Sequence, residues 1–141
     1  MAAELTGIVF DELGPSKIIH IYSPKTGLKA IVVVDNTALG PSIGGVRVSP
    51  TISTLEVARL ARTMTMKNSI AGLPHGGGKA GIIADHRDPK KELYFREFAK
   101  QIKNLLACSQ QFNATPVGTL RKVFPSLMFF WDDHLTYPGL F

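Results

Sequence analysis

The pattern of apolar and polar positions predicts a β-hairpin near the start of the chain. Residues 17–22 alternate between polar and apolar side chains, and residues 28–34 form a run rich in β-branched residues. The five residues between them, 23–27, have the composition of a turn. We therefore predict two antiparallel strands joined by this turn.

A first amphipathic helix is predicted to begin at Ser53, because Ser53 and Glu56 can satisfy each other's backbone amides at a helix start. Positions three or four apart then carry the side chains expected to face inward: Val57, Leu60, Ala61, Met64 and Asn68. Arg59, Arg62 and Thr63 are expected to lie mostly elsewhere. The helix should end before Gly72 and Pro74.

A glycine loop at residues 76–78 and a short strand at 81–84 are predicted next. Asp88 and Pro89 then resemble an N-cap and a first-turn proline, opening a second helix to about Leu106. Its inward side should carry Leu93, Phe98, Ile102 and Leu105. The order of elements predicts an α/β domain in which helices pack on a sheet.

Composition narrows the function classes. The 141 residues, 45% apolar and 19% charged, suit one globular domain, and the single cysteine suits a reducing cytoplasm. No apolar run is long enough to span a membrane and no basic signal start is present, so we expect a cytoplasmic protein. The net charge of +5 leaves anionic small molecules open, but its basic residues are too dispersed to favour nucleic acid.

Composition changes near residue 107. The last 35 residues contain five of the eight phenylalanines, the only tryptophan and the only cysteine, without a helical or strand period. We interpret residues 107–141 as foreign to the preceding part.

The glycine-rich segment fits neither common nucleotide motif. Its letters match G-x-G-x-x-G, but the predicted strand follows the glycines instead of preceding them, and Ala80 stands where a P-loop needs Ser or Thr. Close approach to a ligand or another element remains one explanation for the glycines, and a flexible loop the other. The four histidines lack metal-ligand spacing, so no metal site is expected.

Two lysines flank this segment. If Lys67 and Lys79 share one cleft, each disfavours the other's charge, so one can act as a base while the other holds an anion. Spacing alone instead favours two solvated surface lysines.

Three ordered blocks resemble the N-terminal domain of the glutamate/leucine/phenylalanine/valine dehydrogenase family. They are G-P-S-I-G-G-V-R at 40–47, M-T-M-K-N at 64–68 and G-L-P-H-G-G-G-K-A-G at 72–81. The resemblance covers about residues 10–106 and implies a three-layer-like domain with a mixed sheet flanked by helices. It reverses the preference for surface lysines, implying a catalytic base at Lys79 and a grip on the substrate α-carboxylate at Lys67.

The resemblance also bears on the substrate. Glutamate-specific members carry lysine where this chain has Ile43, so the chain looks closer to leucine, valine and phenylalanine dehydrogenases. Gly44 and Met64 are expected beside Ile43 in the substrate site, although Met64 fits a core position equally well.

The implied reaction is oxidative deamination of an L-amino acid, with hydride transfer to NAD or NADP. We expect residues 1–106 to be the substrate and oligomerisation domain of a homo-oligomer, and residues 107–141 to be an unmatched, truncated or frame-shifted tail. The family's Rossmann cofactor domain and its aspartate motif are absent from this chain, so we expect no activity alone. The alternative is a non-catalytic assembly or regulatory module.

Overall fold

The described residues of this computed structural model are 3–5, 7–107, 114–116 and 127–129, with side chains described from 7 to 102. They form these elements in chain order: β1 Ala3–Leu5, β2 Ile8–Phe10, β3 Lys17–Ser23, β4 Leu28–Asn36, β5 Ser42–Ile43, β6 Val46–Val48, α1 Thr54–Ile70, β7 Gly76–Ile82, α2 Lys91–Ala107, β8 Ala114–Pro116 and β9 Leu127–Phe129.

The central sheet is mixed, as predicted. Strands β3 and β4 form the expected antiparallel hairpin, and β4 also pairs antiparallel with β7. On its other side β7 pairs parallel with both β5 and β6. Strands β1 and β2 form a separate antiparallel pair, and β8 and β9 form a parallel pair.

The helices cover opposite faces of this sheet. Along β4, Ala30 and Val32 pack in one core cluster with Phe98 of α2. Ile31 and Val33 pack in the other with Val57 of α1. The β-branched run of β4 is apolar on both sides because both of its faces are covered. The predicted α/β domain of three layers is confirmed.

Helix α1 begins and ends where the sequence predicts. Ser53 accepts a hydrogen bond from the Glu56 backbone N–H at 3.2 Å, which caps the first turn. The Glu56 carboxylate bonds outward to Arg47, 3.3 Å away. Gly72, with φ of 65°, follows the last turn, in the conformation that ends helices.

Helix α2 differs from the prediction at one position. Asp88 accepts a bond from the Lys90 N–H at 2.8 Å, as an N-cap should, and Phe98 and Ile102 are buried. Leu93, however, is 45% exposed, because five residues of helix place it about 140° from Phe98. Leu105 lies outside the residues whose side chains are described.

The predicted glycine loop is wrong. Gly76, Gly77 and Gly78 are the first residues of β7, and this strand ends at Ile82 instead of reaching Ala84. A Cβ on Gly76 would overlap the Asn36 carbonyl, and one on Gly77 would overlap the Thr65 backbone. The glycines therefore permit close approach to other elements, one of the two explanations left open, and the flexible-loop alternative fails.

Two further regions bear on the predictions. Strands β5 and β6 lie in a segment from which no strand was predicted. The proposed change of character after residue 106 falls on residues of which only 107, β8 and β9 are described. Within the described part of the chain, no helix is both long and apolar enough to cross a membrane.

Candidate functional site

The edge of the sheet beside β7 is an interrupted strand. Ser42 of β5 pairs with Gly76, and Val46 of β6 pairs with Ala80, so one register runs through both. This register places Gly44 beside Gly78 and Gly45 beside Lys79. The Ala80 N–H donates to the Gly45 carbonyl at 3.0 Å, which keeps the break close to β7.

Several side chains of this edge point toward α1. Gly77 lies directly beneath Thr65, so this position of β7 faces α1. Ile43, which pairs with Gly77 in the neighbouring strand, lies on the same face. Lys79 does too, because residues two apart along a strand point to the same side of the sheet. Arg47 is on the same face and forms its ion pair with Glu56 of α1. Gly45, which has no side chain, lies between Ile43 and Arg47 along this edge and beside Lys79 in the register.

One side of α1 faces this edge. Glu56, which reaches Arg47, marks that side. Lys67 follows Glu56 after about three helical turns and lies almost in line with it, whereas Met64 lies about 80° around the axis, between that side and the sheet. We call the region that comprises Ile43, Gly45, Lys79, Met64 and Lys67 the edge slot.

The structure places Ile43, Gly44 and Lys79 at this sheet edge, and Met64 and Lys67 on the helix above it. Lys79 is 7% exposed and Ile43 is 3% exposed, whereas Lys67 is exposed. Gly44 packs against Gly78, where any Cβ would overlap the Gly78 carbonyl. The residue beside Lys79 in the register is Gly45, which the sequence did not single out.

Met64 stands apart from the apolar core. It is half-buried, and among the described residues neither core cluster includes it. Both interpretations that the sequence left open, pocket wall and core position, therefore remain predictions.

A buried carboxylate that sequence reasoning missed lies on the other flank of α1. Asp35, at the end of β4, is 1% exposed and accepts bonds from Arg62 Nε at 2.9 and 3.1 Å. It also accepts a bond from the Thr65 hydroxyl at 2.6 Å. We call these three residues the buried anchor. Arg62 thus does not simply lie away from the core, because its long side chain reaches back to the sheet.

The outer half of Arg62 continues this network. Its terminal nitrogens donate to Asp11 at 2.8 and 2.9 Å and to the Gly14 carbonyl at 3.1 Å. The hydrogen bond between Arg62 and Asp11 holds the pKa of Asp11 well below its usual range. The same bond raises the pKa of Arg62. An acidic residue preceding the hairpin and a basic residue within the helix were the available sequence signals, but no local spacing joins them.

Neither a metal-binding cluster nor a phosphate-binding glycine loop is found among the described residues. No group of three or more His, Cys, Asp or Glu residues in this part of the chain could hold a metal ion. The Gly76 N–H donates to the Gly40 and Pro41 carbonyls, and the Ala80 N–H to Gly45. Backbone donors that are already used in the sheet cannot cradle a phosphate.

Comparisons with known proteins point in one direction. Residues 15–128 match the family model described as Glu/Leu/Phe/Val dehydrogenase, dimerisation domain. This match extends past residue 106, and our boundary there stays a prediction.

Individual relatives agree with the family model. The chain is 40% identical over 107 residues to leucine dehydrogenase of Geobacillus stearothermophilus, covering 73% of this chain and 29% of that one. It is 36% identical over 125 residues to phenylalanine dehydrogenase of Caldalkalibacillus thermarum, covering 85% and 33%. The crystal structure of L-tryptophan dehydrogenase from Nostoc punctiforme is similar with a TM-score of 0.62 and 31% identity, over 74% of this chain and 33% of that one. The chain thus spans about a third of the length of these relatives.

Proposed function

Because the chain belongs to the Glu/Leu/Phe/Val dehydrogenase family, we propose that its edge slot binds the amino-acid substrate of an oxidative deamination. The observation that carries the proposal is the placement of Ile43 and Lys79 on one face of a sheet edge, beneath the helix that carries Lys67. A cation, a buried amine and an apolar wall suit a ligand that has a carboxylate at one end and an apolar side chain at the other.

Each lysine has a distinct role in this proposal. Lys67 is exposed on the rim of the slot, so its ammonium group can pair with the substrate α-carboxylate as the ligand enters. Lys79 is buried beneath α1, where a proton acceptor is shielded from water. It takes and returns the protons when water attacks the iminium carbon and ammonia leaves.

The substrate class follows from the apolar wall. Ile43 is buried and Met64 is half-buried, so an apolar substrate side chain finds dispersion contacts with these two residues. Each buried methylene stabilises the complex by about 0.8 kcal/mol. The leucine, valine and phenylalanine class is therefore favoured over glutamate, although the particular amino acid is not assigned.

A binding experiment on the full chain tests the proposal. We expect 4-methyl-2-oxopentanoate, a branched 2-oxo acid, to bind the wild-type chain and to bind Lys67→Ala about tenfold or more weakly, as the loss of a charge-assisted contact requires. Lys100→Ala on the exposed side of α2 is the matched control and should leave the dissociation constant unchanged. Ile43→Lys should shift preference toward 2-oxoglutarate. Equal binding by wild type and Lys67→Ala, measured by calorimetry, would overturn the role of the slot.

The proposed reaction also requires a cofactor that accepts the hydride. We expect NAD or NADP to accept the hydride, and we do not expect the glycine strand to hold it, since the Gly76 and Ala80 N–H groups are already bonded. The chain alone is then expected to be inactive, because hydride transfer requires a bound and positioned acceptor. A homo-oligomer in the cytoplasm remains our expectation for its state and location.

A second candidate function is a non-catalytic assembly module. The family description of the matched region as a dimerisation domain favours it. The binding experiment with 4-methyl-2-oxopentanoate distinguishes the two functions, because an assembly module does not need Lys67 to bind a 2-oxo acid.

A further inference from the structure

We propose that Asp35, acting through Thr65 and Arg62, is the positioning group that fixes the rotation of α1 and so holds Lys67 and Met64 over the edge slot. The inference rests on the proposed function of the slot, and adds to it a buried carboxylate that does not itself touch the ligand.

The two flanks of α1 carry different chemistry in the same helical turns. Arg62 and Thr65 reach Asp35 on the β4 side, while Met64 and Lys67 face the β5–β6 side. Because one rigid helix carries both sets, a rotation about its axis that broke the bonds to Asp35 would move the slot residues by the same angle.

Apolar packing and hydrogen bonds both restrain this rotation. Val57 and Ala61 of the helix pack in one cluster with Ile31 and Val33 of the sheet. Near the end of the helix, Asn68 donates to the Gly76 carbonyl at 2.6 Å. The bonds from Arg62 and Thr65 to one buried carboxylate have strict geometry and act in the turns that carry Met64 and Lys67, so we assign the fine setting of the angle to them.

A small rotation is enough to matter for binding. The lysine ammonium stands about 8 Å from the helix axis, so a turn of about 15° displaces it by roughly 2 Å. A misplacement of about 1 Å can already cost a large factor in a site that depends on alignment. Removal of a bond in the buried anchor should therefore weaken carboxylate binding without touching the slot.

Thr65 provides the sharpest test, since Thr65→Val removes the hydroxyl and keeps the shape over Gly77, whereas Thr65→Ser keeps the hydroxyl. With the full chain and 4-methyl-2-oxopentanoate, Thr65→Val should weaken binding about 3- to 10-fold, and Thr65→Ser should restore it to within about twofold. In a Lys67→Ala background the effect of Thr65→Val should fall to about twofold or less, because only the apolar contact of Met64 is left to misplace. A purely structural role predicts the same loss in both backgrounds.

The outcomes separate this inference from the proposed function. If the wild type binds through Lys67 and Thr65→Val binds equally well, the positioning role fails and the slot stands. If Thr65→Ser binds as weakly as Thr65→Val, or the full loss persists without Lys67, the positioning role also fails. Absence of binding by the wild type overturns both. Should Thr65→Val not fold, Arg62→Lys keeps the charge but loses the planar fork, and must show the same dependence on Lys67.

Discussion

At the scale of single residues, this domain depends on positions with no side chain and on one buried charge. Gly44 and Gly77 let two backbones approach more closely than any Cβ permits. Asp35 is taken out of water almost completely, and its desolvation is offset by two bonds from Arg62 and one from Thr65. These residues set the distances and angles on which the exposed lysine depends.

The glycine contact predicts a large effect of adding one methyl group. Gly77→Ala should destabilise the domain by about 3 kcal/mol or more, because the new Cβ overlaps the Thr65 backbone, which cannot move away as a flexible side chain would. Gly27→Ala is the control, since its Cβ meets nothing within 4 Å and only its φ of 78° is unfavourable. Thermal unfolding should rank Gly77→Ala well below Gly27→Ala, and an equal or smaller loss at Gly77 would contradict the packing.

Asp11 predicts a specific dependence of stability on pH. Its pKa is lowered in the folded chain, first by the bond from Arg62 and further by the Leu13 and Gly14 backbone N–H groups. Its contribution is therefore fully present above the unfolded carboxyl pKa and is lost as pH falls toward the lower folded value.

The melting temperature of the wild type should thus exceed that of Asp11→Asn by a constant margin between about pH 5 and 7, and the margin should narrow below about pH 4. A margin that stays constant or widens on acidification would show that the pair is not formed in solution.

At the scale of elements, local signals predicted the ends of the helices and the hairpin, and missed the strands made of glycine. Ser53, Gly72 and Asp88 act through bonds within a few residues, so the sequence displays them directly. Strand β7 begins with three glycines, and a strand without side chains shows no alternation. The contacts that explain this strand are those with α1 and β4, which are distant in sequence. The partners of Asp35 are likewise distant in sequence, so no local pattern predicts them.

The capping interaction of α1 gives the prediction at this scale. Ser53→Ala removes the acceptor of the Glu56 N–H and should lower the free energy of unfolding by about 1 kcal/mol. Ser53→Asp supplies another acceptor for this N–H and should retain most of the wild-type stability. Urea unfolding measures both, and equal stability of the alanine variant and the wild type would mean that the cap contributes nothing.

At the scale of the whole molecule, the chain spans about a third of the length of its relatives, within a region described as a dimerisation domain. Its described surface leaves large apolar side chains exposed, among them Ile70 at 88% and Tyr22 at 62%. Exposed apolar groups of this size favour contact with another protein surface.

Self-association is therefore expected of the isolated chain. Light scattering at tens of micromolar should give a mass of at least twice the 15.3 kDa of one chain. Ile70→Glu on the exposed side of α1 tests whether that apolar position contributes. A monomer at this concentration would contradict the expectation.

The central claim is that Lys79, under α1 and beside Gly45, handles the protons of an amino-acid dehydrogenation. It is tested most directly by turnover in a chimera that joins residues 1–106 to the remainder of a related leucine dehydrogenase. Lys79→Ala should lower kcat by about 10²-fold or more, the contribution typical of a general base. Lys67→Ala should act chiefly on KM, and Lys100→Ala should match the parent. A Lys79→Ala chimera that retains nearly full kcat would contradict the account.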